Sequence, residues 1–239
     1  MVCRTIEKFI AIVSFVTLAG CAALTPDYQA LVASADRSEA DRTNDKRRNP
    51  VELLKFYDLR PGMTVADLSA GGGYNSELLA RAVAPGGRVY AQTPNPSPGL
   101  TARMKSPAMQ NVIVVRRDFE DPLPPEARNL DAVVFNFNYH DVVNTTTDRA
   151  KMNRAVFNAL KSGGVYIVSD HSALAGTGAS ETRTLHRIDE AFLRKEVEAA
   201  GFRLLAEGSF LRNPQDPRTA PSGKNSVPND EFVLKFVKP

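Results

Sequence analysis

Val65-Ala66-Asp67-Leu68-Ser69-Ala70-Gly71-Gly72-Gly73-Tyr74 decides how this chain reads: an apolar run carrying an acidic residue near its end, a glycine turn, then the start of a helix. Pro61-Gly62 opens the element with a turn, and 63–68 is mostly apolar. Leu78, Leu79, Ala82 and Val83 then recur at helical spacing. In an open α/β sheet, ligands lie beyond the carboxyl ends of the strands, where glycine lets the backbone come close with no Cβ in the way. A tight strand-to-helix turn with no ligand uses glycine as well.

Downstream of this turn the chain alternates strand and helix, the pattern of a parallel sheet. Strands are expected at 64–68, 88–92, 112–116, 132–137, 165–170, 202–210 and 232–237. Helices are expected at 76–84, 100–109, 147–160 and 184–200, the last carrying a stripe of Leu185, Ile188, Phe192, Leu193 and Val197. Between the final two strands, 212–229 is rich in Pro, Asn, Ser and Gly and suits a long hairpin loop. The expected fold is therefore α/β and Rossmann-like: seven strands, mostly parallel, ending in a C-terminal antiparallel hairpin, with helices on both faces.

A dinucleotide fingerprint, Gly-x-Gly-x-x-Gly followed by an acidic residue about 20 positions on, is matched only in part. Gly71 and Gly73 fill its first two places, Ser76 stands at the third, and the next strand ends without a carboxylate. An NAD-linked oxidoreductase is the weaker reading on that count. The residues 67–73 instead resemble the first motif of the class I S-adenosylmethionine-dependent methyltransferases, acidic-x-Gly-x-Gly-x-Gly, with Ser69 in place of the first glycine. Arg117-Asp118-Phe119 stands where that family places the acidic residue that meets the adenine amine. Residues 131–137 resemble its fourth strand, and 160–165 the turn into its fifth. More narrowly the chain is similar to a group of exported predicted methyltransferases, through Arg48-Asn49-Pro50, 71–74 and 232–236. The resemblance implies S-adenosylmethionine as cofactor, held by Asp67, Ser69, Gly71, Gly72, Gly73, Tyr74, Thr93, Asp118, Phe119 and Asn136. The second strand departs from the family: it runs into Gln92-Thr93-Pro94-Asn95, without the carboxylate that takes both ribose hydroxyls. A neutral acceptor there is weaker by roughly a factor of two.

The fourth strand ends in Asn136-Phe137-Asn138-Tyr139-His140-Asp141, polar groups placed to face the transferring methyl. His140 titrates near neutrality and suits a general base, with Asp141 orienting its ring and Tyr139 binding substrate. A loop histidine that only caps the next helix would look the same. His171, after Ser169-Asp170 at the end of the fifth strand, can approach the same cleft. Two histidines with Asp141 or Asp170 could hold a divalent ion, but their spacing is not a compact ligand pattern and no metal is expected. His186, between Arg183 and Arg187, reads as structural or as a substrate gate.

The 239 residues carry a formal net charge of +3, and no basic run suggests nucleic acid. Lys46-Arg47-Arg48, preceded by Asp41 and Asp45, reads as a solvated helix face. At the start, Arg4 and Lys8 precede an apolar run at 9–18, and Leu18-Ala19-Gly20-Cys21 follows. This reads as a signal peptide over 1–20; an uncleaved anchor would need about 20 apolar residues. It resembles a bacterial lipoprotein signal, with Cys21 lipidated. Export to the periplasmic side follows, and Ala22 implies the outer membrane in Gram-negative cells. Cys3 leaves with the signal, so no disulfide is expected. Residues 21–49 are read as a partly helical tether, and 50–239 as the methyltransferase-like domain. The function expected is methyl transfer to a small molecule or cell-envelope component. The alternative is a non-catalytic, lipid-anchored binding or scaffold protein that keeps the fold.

Overall fold

The computed structural model describes residues 25–239; the signal segment 1–20 and Cys21 lie outside the described residues. The elements run α1 (Tyr28–Ala33), α2 (Glu39–Arg48), α3 (Pro50–Tyr57), β1 (Thr64–Leu68), α4 (Tyr74–Val83), β2 (Arg88–Gln92), α5 (Pro98–Arg103), β3 (Val112–Val115) and β4 (Leu130–Asn136). They continue with α6 (Tyr139–Val143), α7 (Arg149–Ala159), β5 (Leu160–His171), α8 (Glu190–Ala199), β6 (Arg203–Gly208) and β7 (Glu231–Val237). One sheet has the order β3-β2-β1-β4-β5-β7-β6. The first five strands are parallel, and β7 pairs antiparallel with both β5 and β6. The expected α/β sheet with an antiparallel ending is what forms. Strand order reverses between β1 and β4, and the crevice at that switch point opens beyond the carboxyl ends of both.

Strands buried on both faces read as near-continuous apolar runs, and successive side chains go to opposite faces. In β4, Val133 and Phe135 join one core with Met152 and Val156 of α7 and Leu193 and Val197 of α8. Ala132 and Val134 join the other, with Leu53 and Leu54 of α3 and Leu78, Leu79 and Val83 of α4. Helices thus cover both faces. Among the described residues, no helix is long and apolar enough to cross a membrane.

Two helices differ from the sequence reading. The one expected at 184–200 starts only at Glu190, because Asp189 caps it and also accepts from the Gly176 and Gly178 amides. Upstream, Ile188 bridges Ser172 beside the end of β5 and His186 sits at φ 51, outside helical space. The helix expected at 100–109 splits into α5, capped by Ser97, and a 3-10 turn at Pro107–Met109, capped by Ser106.

The segment expected as a tether is helical in its described part and docks on the domain. Tyr28 is buried and donates to the Leu59 carbonyl at 2.7 Å. Arg103 of α5 binds Asp41 of α2 at 2.6 Å, also pairs with Glu77 of α4, and donates to the Gly72 carbonyl at 2.9 Å. Tyr74 donates to Asp45 of α2 at 2.6 Å. Charged side chains that look solvated in sequence are the clasp between α2 and the glycine turn.

The long connection between β6 and β7 is anchored by Arg187 and Asp216, both fully buried and 2.9 Å apart. Arg187 also donates to the Ala220 and Ser172 carbonyls. Removing one partner of such a pair leaves an uncompensated buried charge and costs about 3–5 kcal/mol. Arg187→Ala is expected to lose that much in urea unfolding. A loss under 1 kcal/mol would show that the connection is held by its apolar contacts instead.

Candidate active site

The glycine turn alternates left-handed positions: Ser69 at φ 59, Gly71 at φ 55 and Gly73 at φ 80. Ser69 therefore takes a conformation that costs a side-chain-bearing residue about 1–2 kcal/mol. The site returns hydrogen bonds in exchange. The Ser69 amide donates to Gln92 Oε1 at 3.0 Å, and its hydroxyl donates to Asn138 Oδ1 at 2.7 Å. A Cβ on Gly73 would meet Leu100 at 2.8 Å, so α5 closes on the turn there, whereas a Cβ on Gly72 meets nothing within 4 Å. The backbone at Gly72 is open to an incoming group.

Asp67 is 2% exposed at the end of β1 and accepts from Ser76 Oγ at 2.5 Å and Asn75 Nδ2 at 2.8 Å. Beside it a small cavity of about 10 Å³ is lined by Arg48, Tyr57, Tyr74, Asn75 and Asn136, among others. That is room for about one water molecule. Arg48 corrects the solvated-face reading. Its guanidinium lies 4.9 Å from the centre of the Phe137 ring and 5.4 Å from that of Tyr74. Burial, with Arg47 alongside, pulls its pKa down. Among the described contacts Arg48 makes no hydrogen bond or ion pair, so its donors remain available to an anion. The sequence signal that could have found it was Arg48-Asn49-Pro50: Asn49, at φ 44, turns the chain between α2 and α3 and aims α2's last residue at the turn.

The other expected cofactor residues spread along the same edge. Thr93 is buried, with its hydroxyl donating to the Asn95 carbonyl at 3.2 Å. Gln92, which the sequence reading left without a role, ties the ends of β1, β2 and β3 together: its Nε2 donates to the Arg117 carbonyl at 2.7 Å while its Oε1 accepts from Ser69. Asp118 is exposed, and it shares an open groove with Phe119, Pro94 and 145–147. Asn136 is bonded to Ser169 and to the Tyr57 hydroxyl, at 2.6 and 2.7 Å.

His140 is 3% exposed, and its ring is oriented by Asp170 rather than by Asp141. Asp170, wholly buried, accepts from the His140 amide at 2.9 Å and the His171 amide at 2.8 Å, and lies 2.6 Å from His140 Nδ1. Burial lowers the His140 pKa, but the Asp170 hydrogen bond and charge, with Asp141, outweigh it, and the pKa is raised. The Nε2 edge faces Asp141 at 3.4 Å, and Asp141 meets His186 Nδ1 at 3.1 Å. His171 joins the cluster only by its ring, 5.6 Å from that of His140; its Nδ1 is 3.0 Å from Glu231. Tyr139 does not belong to the cleft. It is wholly buried, donating to Glu196 at 2.8 Å and accepting from Asn153 at 2.9 Å, because the first turn of α6 points it into the α7–α8 core. His186 lies on the loop before α8, not on an amphipathic helix.

A polar chain joins the two halves: Gln92 to Ser69, Ser69 to Asn138, and Asn138 Nδ2 to Asp141 Oδ2 at 3.1 Å. The glycine turn and the histidine edge are thereby held in one frame.

Residues 66–168 match the family model of a methyltransferase domain. Over 39 residues, 16% of this chain, the sequence is 56% identical to a protein-L-isoaspartate O-methyltransferase of Aeropyrum pernix; the match spans 15% of that protein's length. The fold is similar to that of a SAM-dependent methyltransferase from Aquifex aeolicus (TM-score 0.63, 17% identity, 89% of this chain and 99% of that one). It is also similar to the 1,6-didemethyltoxoflavin-N1-methyltransferase of Burkholderia thailandensis, solved with 1,6-didemethyltoxoflavin and S-adenosylhomocysteine (TM-score 0.54, 18% identity, 74% of this chain and 72% of that one). At these identities the likeness to the solved structures is one of fold.

Burial raises the Asp67 pKa from 3.8 to about 6, against the Ser76 and Asn75 hydrogen bonds and the Arg48 charge. A carboxyl raised on folding stabilises fully below its unfolded pKa and loses that contribution as pH rises through the folded one. The window here is pH 3.8 to about 6, worth on the order of 3 kcal/mol. Asp67→Asn, which keeps the neutral shape, should gain about that much relative to wild type between pH 4 and pH 7 in urea unfolding. A pH-independent difference would mean that Asp67 does not titrate in this window.

Proposed function

We propose that the chain is an S-adenosylmethionine-dependent methyltransferase acting on a small molecule or a cell-envelope component. The observation that carries this reading is the Ser69–Asn138–Asp141 chain, which sets a glycine turn open at Gly72 beside a histidine edge. The residues fit the cofactor. Arg48 offers unpaired donors to its carboxylate end, the open backbone at Gly72 admits it, and Asp118 with Phe119 suits the adenine amine. Thr93 keeps acceptor lone pairs for a ribose hydroxyl even while its proton is used.

When bound, S-adenosylmethionine supplies a methyl group already activated on a sulfonium. The protein is left to align the acceptor and exclude water, an orientation effect. His140 carries the activation of the acceptor. Asp170 fixes its ring with Nε2 turned away from the core, at the edge shared with Asp141 and His186. The local match to a protein-L-isoaspartate O-methyltransferase and the fold shared with a 1,6-didemethyltoxoflavin-N1-methyltransferase support methyl transfer without choosing an acceptor. We further propose that the protein is exported, lipidated at Cys21 and anchored on the periplasmic side of the envelope, at the outer membrane. The basic, apolar and Leu18-Ala19-Gly20-Cys21 segments support this placement.

Calorimetric titration with S-adenosylmethionine and S-adenosylhomocysteine should show one site per chain. Asp67→Ala and Gly71→Val, the latter placing a β-branched residue at φ 55, should abolish it. His140→Ala should keep the cofactor and lower transfer of labelled methyl to an envelope extract by about 100-fold or more. No heat at millimolar cofactor would defeat the reading. Export has its own test: labelling cells with a radioactive fatty acid should mark wild type and not Cys21→Ser, and equal labelling would exclude lipidation there.

A further inference from the structure

The chain has three histidines in 239 residues, and all three meet at one edge of the sheet. We propose that two of them, with the carboxylate between them, bind a divalent transition ion of the zinc type, through His140 Nε2, Asp141 Oδ1 and His186 Nδ1. These atoms lie 3.4 Å and 3.1 Å apart along the two sides that meet at Asp141. One ligand atom from each residue lies within 4.8 Å of the others. With zinc–nitrogen and zinc–oxygen bonds of about 2.0–2.2 Å, the corners of a tetrahedral site are about 3.3–3.5 Å apart. The two measured sides are close to that spacing. The third closes by rotation of His186, whose side chain is 51% exposed.

The surroundings are those of a ligand set. Asp170 lies 2.6 Å from His140 Nδ1, which puts the proton on that nitrogen and leaves the Nε2 lone pair pointing outward. A carboxylate behind a ligating imidazole is the usual device for fixing tautomer and direction at a metal. The other oxygen of Asp141 accepts from Asn138 at 3.1 Å, so this ligand is oriented too. His186 is carried on a loop pinned by the Ile188–Ser172 bridge and the buried Arg187–Asp216 pair. Two imidazoles and one carboxylate, with no thiolate, suit zinc, cobalt, iron(II) or manganese better than the all-oxygen shells of calcium and magnesium. His171 stands outside the set because its Nδ1 faces Glu231.

Three protein ligands leave a coordination position on the side where Asp141 and His186 are about half exposed. On the methyltransferase reading, from which this last step follows, that position would take the oxygen of a hydroxyl acceptor and lower its pKa, the proton leaving to solvent at this half-exposed edge and the methyl passing from the sulfonium to the oxygen, with S-adenosylhomocysteine as the leaving group. His140 would then act on the acceptor by holding the ion. The ion site itself rests on geometry alone.

The test uses the full chain, stripped with a chelator and loaded separately with Co²⁺ and Zn²⁺. Expected are one ion per chain by elemental analysis after dialysis, and visible cobalt bands of a tetrahedral nitrogen–oxygen site. His186→Ala, a change at a half-exposed side chain that leaves the core intact by circular dichroism, should lower affinity by about 100-fold or more. Asp170→Asn, which removes the carboxylate behind His140 and one of the acceptors for the His140 and His171 amides, should lower it by at least about 10–100-fold. Failure to retain a stoichiometric ion, or unchanged retention in His186→Ala, would overturn the site. Cofactor calorimetry on the stripped protein separates the two readings: heat with no metal retention leaves methyl transfer standing without the ion, and metal retention with no heat does the reverse.

Discussion

Asp170 is the group on which the functional edge depends. Its carboxylate is fully buried between the ends of β4 and β5, where an unpaired charge would be prohibitive. It is satisfied by the amides of His140 and His171 and by the His140 ring. Those bonds start α6 at a fixed angle from the fourth strand. His140 thus turns Nε2 toward Asp141, while its neighbour Tyr139 is driven into the opposite core. Arg187 with Asp216 plays the same part for the β6–β7 connection, whose Asn229 reaches back to His171 at 3.4 Å.

Backbone strain gathers at this edge. Of the seven non-glycine residues with positive φ among those described, Asn49, Ser69, Phe137 and His186 surround the cleft. Each would be more comfortable elsewhere, by roughly 1–3 kcal/mol. Each turns a functional group inward: Asn49 aims Arg48, Ser69 opens the glycine turn, Phe137 offers its ring to Arg48 and His171, and His186 returns to Asp141. Such conformations persist only where the surroundings over-determine them; at Ser69 and Phe137 hydrogen bonds to the ends of β2 and β5 do so.

Periodicity reports burial, which is why the seven strands, the helices of both faces and the antiparallel ending could be read from the chain. The candidate site was legible where a ligand would need a particular backbone shape, at Gly71 to Gly73, and where a polar run interrupts an apolar strand, at 136–141. It was not legible where function depends on partners far away in sequence. Arg48 looked like one more surface cation because its ring partners, Tyr74 and Phe137, are 26 and 89 positions on. Tyr139 looked like a cleft residue because nothing local shows that α6 begins by facing α8.

The amino-acid sequence by itself determined the strand and helix pattern, the glycine turn and the segment read as an export signal, since these are local composition and spacing, and its motifs carried the likeness to methyltransferases. Tertiary structure alone decided that α2 is clasped to the glycine turn, that Asp170 and not Asp141 holds His140, and that His186 joins Asp141 across 45 residues. Hydrogen bonds and charge pairs act over a few ångströms whatever the sequence separation. Only the closed sheet and the loops pinned to it bring those groups within range.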